Sequence, residues 1–239
     1  MNPIHPVLVV SFLRQRLGSP LRLVMLGFMF FSSFVMVAVT RQLAPIAGTP
    51  AMFALVLAAG AIGQEISSGV LTLTFARPVT RTAFVLSRWA GAAGFAAALG
   101  FAQIAVGIMA IAARGGPVPE GGEIAALVVE CVLNAGGAAA VMVMLSSFAN
   151  GLGDVALWAL ASVVGAIANL AGQAKNWPVL VRAASELDLT LMPKLQAGWL
   201  FGLGDPQVYG LVAVLSTITA ALAVAVWVVN RKELSYAAG

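Results

Sequence analysis

Two aspartates in this chain of 239 residues follow the same short pattern. Residues 151–154 and 202–205 both read Gly-Leu-Gly-Asp, and Gly-x-Gly-Asp is typical of intramembrane aspartyl proteases. Such proteases need two carboxylates close enough to share a proton and activate water. The hypothesis therefore requires Asp154 and Asp205 to meet, which depends on the helices that lie between them.

The sequence supplies few of the residues that other kinds of catalysis use. With one histidine and one cysteine, it indicates no zinc site and no Ser-His or Cys-His arrangement. A phosphate-binding P-loop ends in Gly-Lys-Ser/Thr, whereas the lysines here follow Ala174, Pro193 and Arg231. We therefore predict that the chain is not an enzyme and has no cofactor or metal of its own. If ATP drives it, a separate subunit hydrolyses the ATP.

Four polar residues interrupt otherwise apolar stretches and could line a translocation path. Glu130 and Asn134 are four residues apart, hence on one helix face, and Gln103 and Asn169 could join them. An ionisable group inside a bilayer is costly, which makes it a functional hypothesis. Two alternatives remain open: a hydrogen bond between helices, or a solvated Glu130 at the outer interface, since residues 131–148 nearly suffice to cross.

The elements that carry these residues are membrane-spanning helices. The chain is 61% hydrophobic and 9% charged, and a spanning helix needs about 20 mainly apolar residues to cross about 30 Å of hydrocarbon. Six stretches qualify: about 21–40, 48–64, 89–113, 124–148, 154–172 and 208–229. The alternation of a membrane β-barrel is absent. We predict an all-α integral membrane protein whose residues 1–239 form a single transmembrane domain. Span five would then separate Asp154 from Asp205 by about 30 Å, too far for a catalytic dyad.

A charged segment from Glu65 to Arg88 joins spans two and three. It contains a carboxylate, apolar residues compatible with a helix, an Arg77-Pro78 stop and a further arginine, Arg81. The order Glu65, Gly69, Pro78, Arg81 resembles the coupling segment of ABC-2 type transporter permeases, which reads Glu, three residues, Gly, an apolar stretch and then Pro-x-x-Arg. Residues 3–18 add a predicted helix lying in the membrane interface, as in that family.

The resemblance implies a permease subunit of an ATP-driven transporter, and an exporter as in most of the family. Its partners would be two cytoplasmic ABC ATPase subunits, which hold ATP and Mg²⁺, and a second permease copy or a related permease. ATPase closure would push on a coupling helix around residues 66–76. Glu65, Arg77 and Arg81 would contact the ATPase or fix the segment against the spans; the arginines could instead anchor to lipid phosphates.

The family also has short re-entrant or interfacial helices between spans five and six. A helix is predicted here over residues 179–191, with a solvated surface loop as the alternative. Within the family, a permease of the nitrous-oxide-reductase maturation type would instead pass mechanical work to a periplasmic partner. A passive membrane scaffold is a further alternative from another class.

Basic residues set the expected orientation. If both ends are cytoplasmic, the inner side holds the larger group of arginines and lysines: Arg14, Arg16, Arg22, Arg77, Arg81, Arg88, Arg231 and Lys232. The outer side would hold Arg41, Arg114, Lys175, Arg182 and Lys194. We therefore predict the cytoplasmic (inner) membrane, with both termini inside. The net charge of +4 fits contact with anionic lipid and requires no nucleic acid.

Overall fold

The computed structural model describes residues 4–69 and 79–232, and within those ranges the fold is helical with no strand. Its helices are α1 (Pro6–Leu17), α2 (Pro20–Thr40), α3 (Thr49–Ala58), α4 (Gly63–Ser67), α5 (Arg81–Ala113), α6 (Gly121–Phe148), α7 (Gly153–Ala174), α8 (Pro178–Leu191) and α9 (Val208–Arg231). Six segments are long and apolar enough to span a membrane: α2, residues 44–67 with α3 and α4, α5, α6, α7 and α9. The predictions of an all-α fold and of six helices long and apolar enough to span a membrane are confirmed for the described residues.

Span two is broken, which the sequence reading of one stretch over 48–64 did not anticipate. The helix α3 ends at Ala58, and the short helix α4 begins at Gly63. Between them Gly60 has a φ of +69°, in the left-handed region that glycine adopts without strain. Helix α4 ends at Ser67, so most of the predicted coupling helix over 66–76 lies outside the described residues.

Span three begins earlier than predicted, because α5 starts at Arg81 rather than near residue 89. Thr80 is the N-cap: its hydroxyl accepts a hydrogen bond from the Ala83 N–H at 3.2 Å. Threonine is a favoured N-cap because it satisfies an N–H group that has no partner within the helix. Arg88 therefore lies within the helix, where it is paired with Glu65.

Helix α6 forms the centre of the bundle and packs against α3, α5 and α9. Small residues let these helices approach closely. A Cβ at Gly100 of α5 would lie 2.9 Å from the Cys131 sulfur, and Ala135, Ala138 and Ala139 are fully buried. Since lipid is as apolar as the side chains, such close packing drives helix association in a membrane.

Helix α8 runs back along α7 and enters the bundle. Gly172 of α7 is packed against Val181, and Gly165, further towards the start of α7, is packed against Leu187. The indole N–H of Trp158 donates to the Leu191 carbonyl at 3.3 Å, so the two helices are antiparallel. The predicted helix over 179–191 is confirmed to within one residue at its start.

The chain then continues into the interior instead of forming a solvated loop. Pro193 lies against Gly137, near the middle of α6, where a Cβ would come within 2.6 Å of the proline ring. Leu195 and Ala197 are buried. Residues 192–197, which we call the re-entrant segment, return along α6 towards its N-terminal end.

Candidate functional site

The break in span two is held by polar side chains from α6 and α7. The Gly60 N–H donates to Asp154 Oδ2 at 2.5 Å, and the N–H groups of Ile62 and Gly63 both donate to Ser146 Oγ at 2.9 Å. Helix ends leave N–H groups without an intrahelical partner, and in a membrane these must be satisfied within the protein. Asp154 and Ser146 are fully buried and replace the missing helical bonds.

Two arginines, from α1 and α2, also bind residues of the break. Arg22 donates to the Ala59 carbonyl at 3.2 Å, and Arg16 donates to Gln64 Oε1 at 2.7 Å. The Gly63 carbonyl accepts from the Gly151 N–H at 2.8 Å, which ties the break to the α6–α7 connection. The interrupted span therefore has a defined geometry, fixed by side chains from four helices, α1, α2, α6 and α7.

A buried ion pair lies next to the break, in the helix α4 that follows it. Arg88 of α5 pairs with Glu65 of α4, and their side chains are 5% and 3% exposed. The Arg88 guanidinium lies 5.1 Å from the centre of the Phe12 ring and 4.9 Å from that of Phe84. Arg16 lies over the same Phe12 ring, also at 5.1 Å. We call Arg16, Arg22, Glu65, Arg88 and Asp154, with Phe12, the break cluster.

The break cluster has more cations than anions. Its three arginines face two carboxylates, and Arg16 is fully buried. Burial, with repulsion from Arg22 and Arg88, lowers the pKa of Arg16 to about 9, so it stays charged at neutral pH. Nε and Nη2 of Arg16 have no hydrogen-bond partner within residues 4–69 and 79–232. Removing charges from water costs free energy even when the charges are paired. We therefore regard the break cluster as a candidate functional site rather than as a source of stability.

The charged segment from Glu65 to Arg88, which joins spans two and three, is anchored at both of its described ends. Glu65 is bound to α5 through Arg88, so it is buried rather than open to a partner. On the other side, Arg81 Nη1 donates to the carbonyls of Val229 at 2.9 Å and Asn230 at 2.7 Å, capping the end of α9. Gly69 is exposed, with a φ of +70°. Arg77 and Pro78 lie outside the described residues.

Glu130 and Asn134 hold the re-entrant segment to α6. Asn134 accepts from the Leu195 N–H at 2.8 Å and donates to the Leu195 carbonyl at 3.3 Å. Glu130 Oε1 accepts from the Ala197 N–H at 2.6 Å. Glu130 is only 7% exposed, so the alternative of a fully solvated carboxylate does not fit.

The other two residues proposed for a translocation path lie elsewhere. Gln103 is buried on α5 and accepts a hydrogen bond from the Thr49 hydroxyl at 2.9 Å, joining α5 to α3. Asn169 is half-buried on α7 and binds Gln173 of its own helix at 2.9 Å. The structure brings Glu130 and Asn134 together on one segment, but does not bring Asn169 to them.

The two Gly-x-Gly-Asp aspartates lie at opposite ends of the bundle. Asp154 belongs to the break cluster, whereas Asp205 is exposed and precedes α9 at the end where Arg41 closes α2. Helix α7 lies between them, and its 22 residues span about 33 Å at 1.5 Å per residue. They do not form a catalytic dyad within this chain, and Asp154 instead supports the break.

No protein-family model matches this chain, and a search of curated proteins finds no match. The geometry of the break cluster and of the anchored segment is therefore the basis on which a function is inferred. Sequence reasoning missed Arg16 and Asp154 as members of the break cluster, and Ser146 as a further support of the break, because their partners on span two are more than 40 residues away. For each of these three residues, the sequence showed only a polar residue at the end of an apolar stretch.

Proposed function

We propose that this chain is the permease subunit of an ABC-2 type transporter, driven by two separate cytoplasmic ATPase subunits that hold ATP and Mg²⁺. It works as an exporter in the cytoplasmic membrane, with both termini inside, and pairs with a second copy or a related permease. The six spans and the Glu65, Gly69, Pro78, Arg81 pattern support this proposal. Residues 65–88 are the coupling segment on which the ATPases act.

The observation that carries the proposal is the anchoring of this segment to three spans. On one side Glu65 is joined to Arg88 of α5, and on the other Arg81 is joined to the last carbonyls of α9. A force applied between these anchors acts at once on spans two, three and six. A loop that merely connected two helices would need neither a buried ion pair nor a cap on a distant helix.

The break in span two is the point at which this force would move one part of the span relative to the other. Helix α4 is only five residues long and is separated from α3 by a turn with a left-handed glycine. Discontinuous helices are used by transporters as points of movement near their substrate paths. In the proposed mechanism α4 moves with the coupling segment while α3 stays packed on α6.

The test compares ATPase coupling in variants of the segment. The tagged chain is purified in mild detergent, co-eluting subunits are identified, and vanadate-sensitive ATPase activity is measured. Gly69→Trp places a bulky group at an exposed site with left-handed backbone, and Arg81→Glu removes the α9 cap. Both should lower the vanadate-sensitive ATPase activity of the purified complex at least several-fold while membrane insertion is retained. Gly115→Trp is the matched control, because Gly115 is also exposed with a φ of +65° and lies beyond the other end of α5.

Two results would contradict the proposal. One is a chain that purifies without a P-loop ATPase and gives no response to nucleotide, which favours the scaffold alternative. The other is unchanged transport and ATPase binding in both Gly69→Trp and Arg81→Glu. Co-purification of an ATPase together with a periplasmic protein would favour the permease that transmits mechanical work.

A further inference from the structure

Several buried polar atoms of the break cluster have no partner. Oε2 of Glu65, both Nε and Nη2 of Arg16, and Nε of Arg88 form no hydrogen bond with any residue in 4–69 and 79–232. All three residues are more than nine-tenths buried, so bulk water does not reach these atoms. Buried polar groups are nearly always hydrogen-bonded, and each exception needs an explanation. Here an acceptor without a donor lies in the same cluster as donors without an acceptor.

Two arginines approach Glu65 from different helices. Arg88 of α5 donates to Oε1 of Glu65. Arg16 of α1 donates through Nη1 to Oε1 of Gln64, the residue before Glu65, at 2.7 Å. Both guanidiniums lie 5.1 Å from the centre of the Phe12 ring. Burial lowers the pKa of Arg16 and the negative charge of Glu65 raises it, so these two charges interact.

The helices that carry the two arginines are held together without the help of Glu65. A Cβ at Gly91 of α5 would lie 2.9 Å from the Phe12 ring of α1. The His5 N–H, at the start of α1, donates to Ser87 Oγ of α5 at 2.9 Å. The carboxylate of Glu65, on the five-residue helix α4, can therefore leave either arginine while α1 stays packed on α5.

We propose that Glu65 exchanges partners, pairing with Arg88 in this structure and with Arg16 in a second conformation. In the second conformation the carboxylate accepts from Nε and Nη2 of Arg16, in the two-point geometry that a planar guanidinium offers. Arg88 then stays between the rings of Phe12 and Phe84, which favour a cation. The exchange transfers the attachment of α4 from span three to the N-terminal helix α1.

The exchange is favoured by the cost of leaving a buried charge unpaired. Because one buried pair replaces another, the free energies of the two conformations differ by less than that cost. A minor conformation of this kind is typically populated at roughly 0.1–10%. Removal of Arg88 leaves Glu65 to turn to Arg16, so it should make the minor conformation the main one.

The experiment follows the Arg16 side chain by NMR of the purified chain in nanodiscs, with ¹⁵N-labelled arginine. The Arg16 Nε–H signal is assigned by its loss in Arg16→Lys. An N–H that donates to a carboxylate resonates downfield of one that has no acceptor. In Arg88→Gln we expect a downfield shift of this signal, because Glu65 then pairs with Arg16. Adding Glu65→Leu, which removes the acceptor, should return the signal to its original position.

Arg114→Gln is the matched control. It removes an arginine from the other end of α5, where Arg114 donates to the Ala38 carbonyl at 2.8 Å, and it should leave the Arg16 signal unchanged. If Arg88→Gln fails to fold, Arg88→Lys keeps a cation at this position without the planar guanidinium. Glu65 should then divide between the lysine and Arg16, and the Arg16 signal should move part of the way.

Two results would overturn the proposal. An Arg16 signal that keeps its position in folded Arg88→Gln or Arg88→Lys would show that Glu65 does not turn to Arg16. A downfield shift that persists after Glu65→Leu would show that another group accepts from Arg16. None of these measurements involves nucleotide or an ATPase, so failure here leaves the proposed transport function to its own test.

Discussion

At the scale of single residues, the most consequential contact is the ion pair of Glu65 with Arg88. Both side chains are almost fully buried, and Arg88 also lies between two phenylalanine rings. A buried pair contributes little beyond what apolar packing would, because desolvation offsets the attraction. Removing only one partner is different, since it leaves an isolated charge among apolar groups.

We therefore predict non-additive effects for this pair. Glu65→Gln and Arg88→Gln should each lower the free energy of unfolding by about 3 kcal/mol, and the double variant by clearly less than their sum. Equilibrium unfolding in detergent micelles measures all three. The exposed pair Asp188 with Lys194 is the control, and its loss should change stability by about 1 kcal/mol or less. Additive losses at Glu65 and Arg88 would show that the two side chains act independently.

At the scale of elements, the break in span two and the packing of α8 along α7 distinguish this bundle from six plain spans. Both depend on close approach of backbones. Gly63 meets the α6–α7 connection so closely that a Cβ would lie 2.4 Å from the Ala149 carbonyl oxygen and 2.8 Å from that of Gly151. A backbone oxygen cannot rotate away as a side chain can, so glycine is required here.

Gly63→Ala should accordingly destabilise the protein, by about 1–3 kcal/mol as for other overpacked sites. The loss follows from displacement of the 149–151 connection and of the Asp154 and Ser146 bonds that depend on it. Thermal unfolding in detergent measures the change. Gly94→Ala on α5 is the matched control, because nothing lies within 4 Å of its Cβ position. Equal melting temperatures for the two variants would contradict the packing argument.

The sequence was sufficient for the elements that depend on local composition. Runs of apolar residues located all six spans, and Pro178 with the pattern that follows located α8. The break in span two could not be predicted from local composition. Its Gly60 N–H is satisfied by Asp154, 94 residues away, and nothing in the local sequence distinguishes it from a glycine in a continuous helix.

The candidate site was predictable only in part, for the same reason. Glu65 was identified from its position in a motif, but its partner Arg88 was placed at a span end rather than within a helix. Glu130 and Asn134 were correctly placed on one face of a helix. Their binding of the re-entrant segment depends on residues more than 60 positions later in the chain.

At the scale of the whole molecule, the six spans differ widely in how much of their apolar surface is buried. In α6, 61% of the most apolar stretch is buried, whereas the values for α2 and α7 are 17% and 11%. Exposed residues such as Phe28, Phe31, Val163 and Ile167 give α2 and α7 broad apolar surfaces. In a membrane these surfaces lie against lipid or another apolar surface, so the two helices form the sides of the bundle.

The orientation with both termini inside is testable by cysteine labelling. Cys131 is fully buried and provides a silent background. We expect Gln42→Cys to react with a membrane-impermeant maleimide in intact cells, because it lies exposed after the first span. Thr82→Cys, exposed at the start of α5, should react only in inverted membrane vesicles. The reverse pattern would establish the opposite orientation and would place the break cluster outside.

The hydrogen bonds of the break also govern how the protein is assembled during synthesis. During synthesis, span two leaves the ribosome before Ser146 and Asp154 have been added to the chain. Until α6 is complete and α7 has begun, the N–H groups of Gly60, Ile62 and Gly63 lack their final partners. Each unpaired group in hydrocarbon costs several kcal/mol. We therefore expect the break in span two to reach its final structure only after α7 has been synthesised.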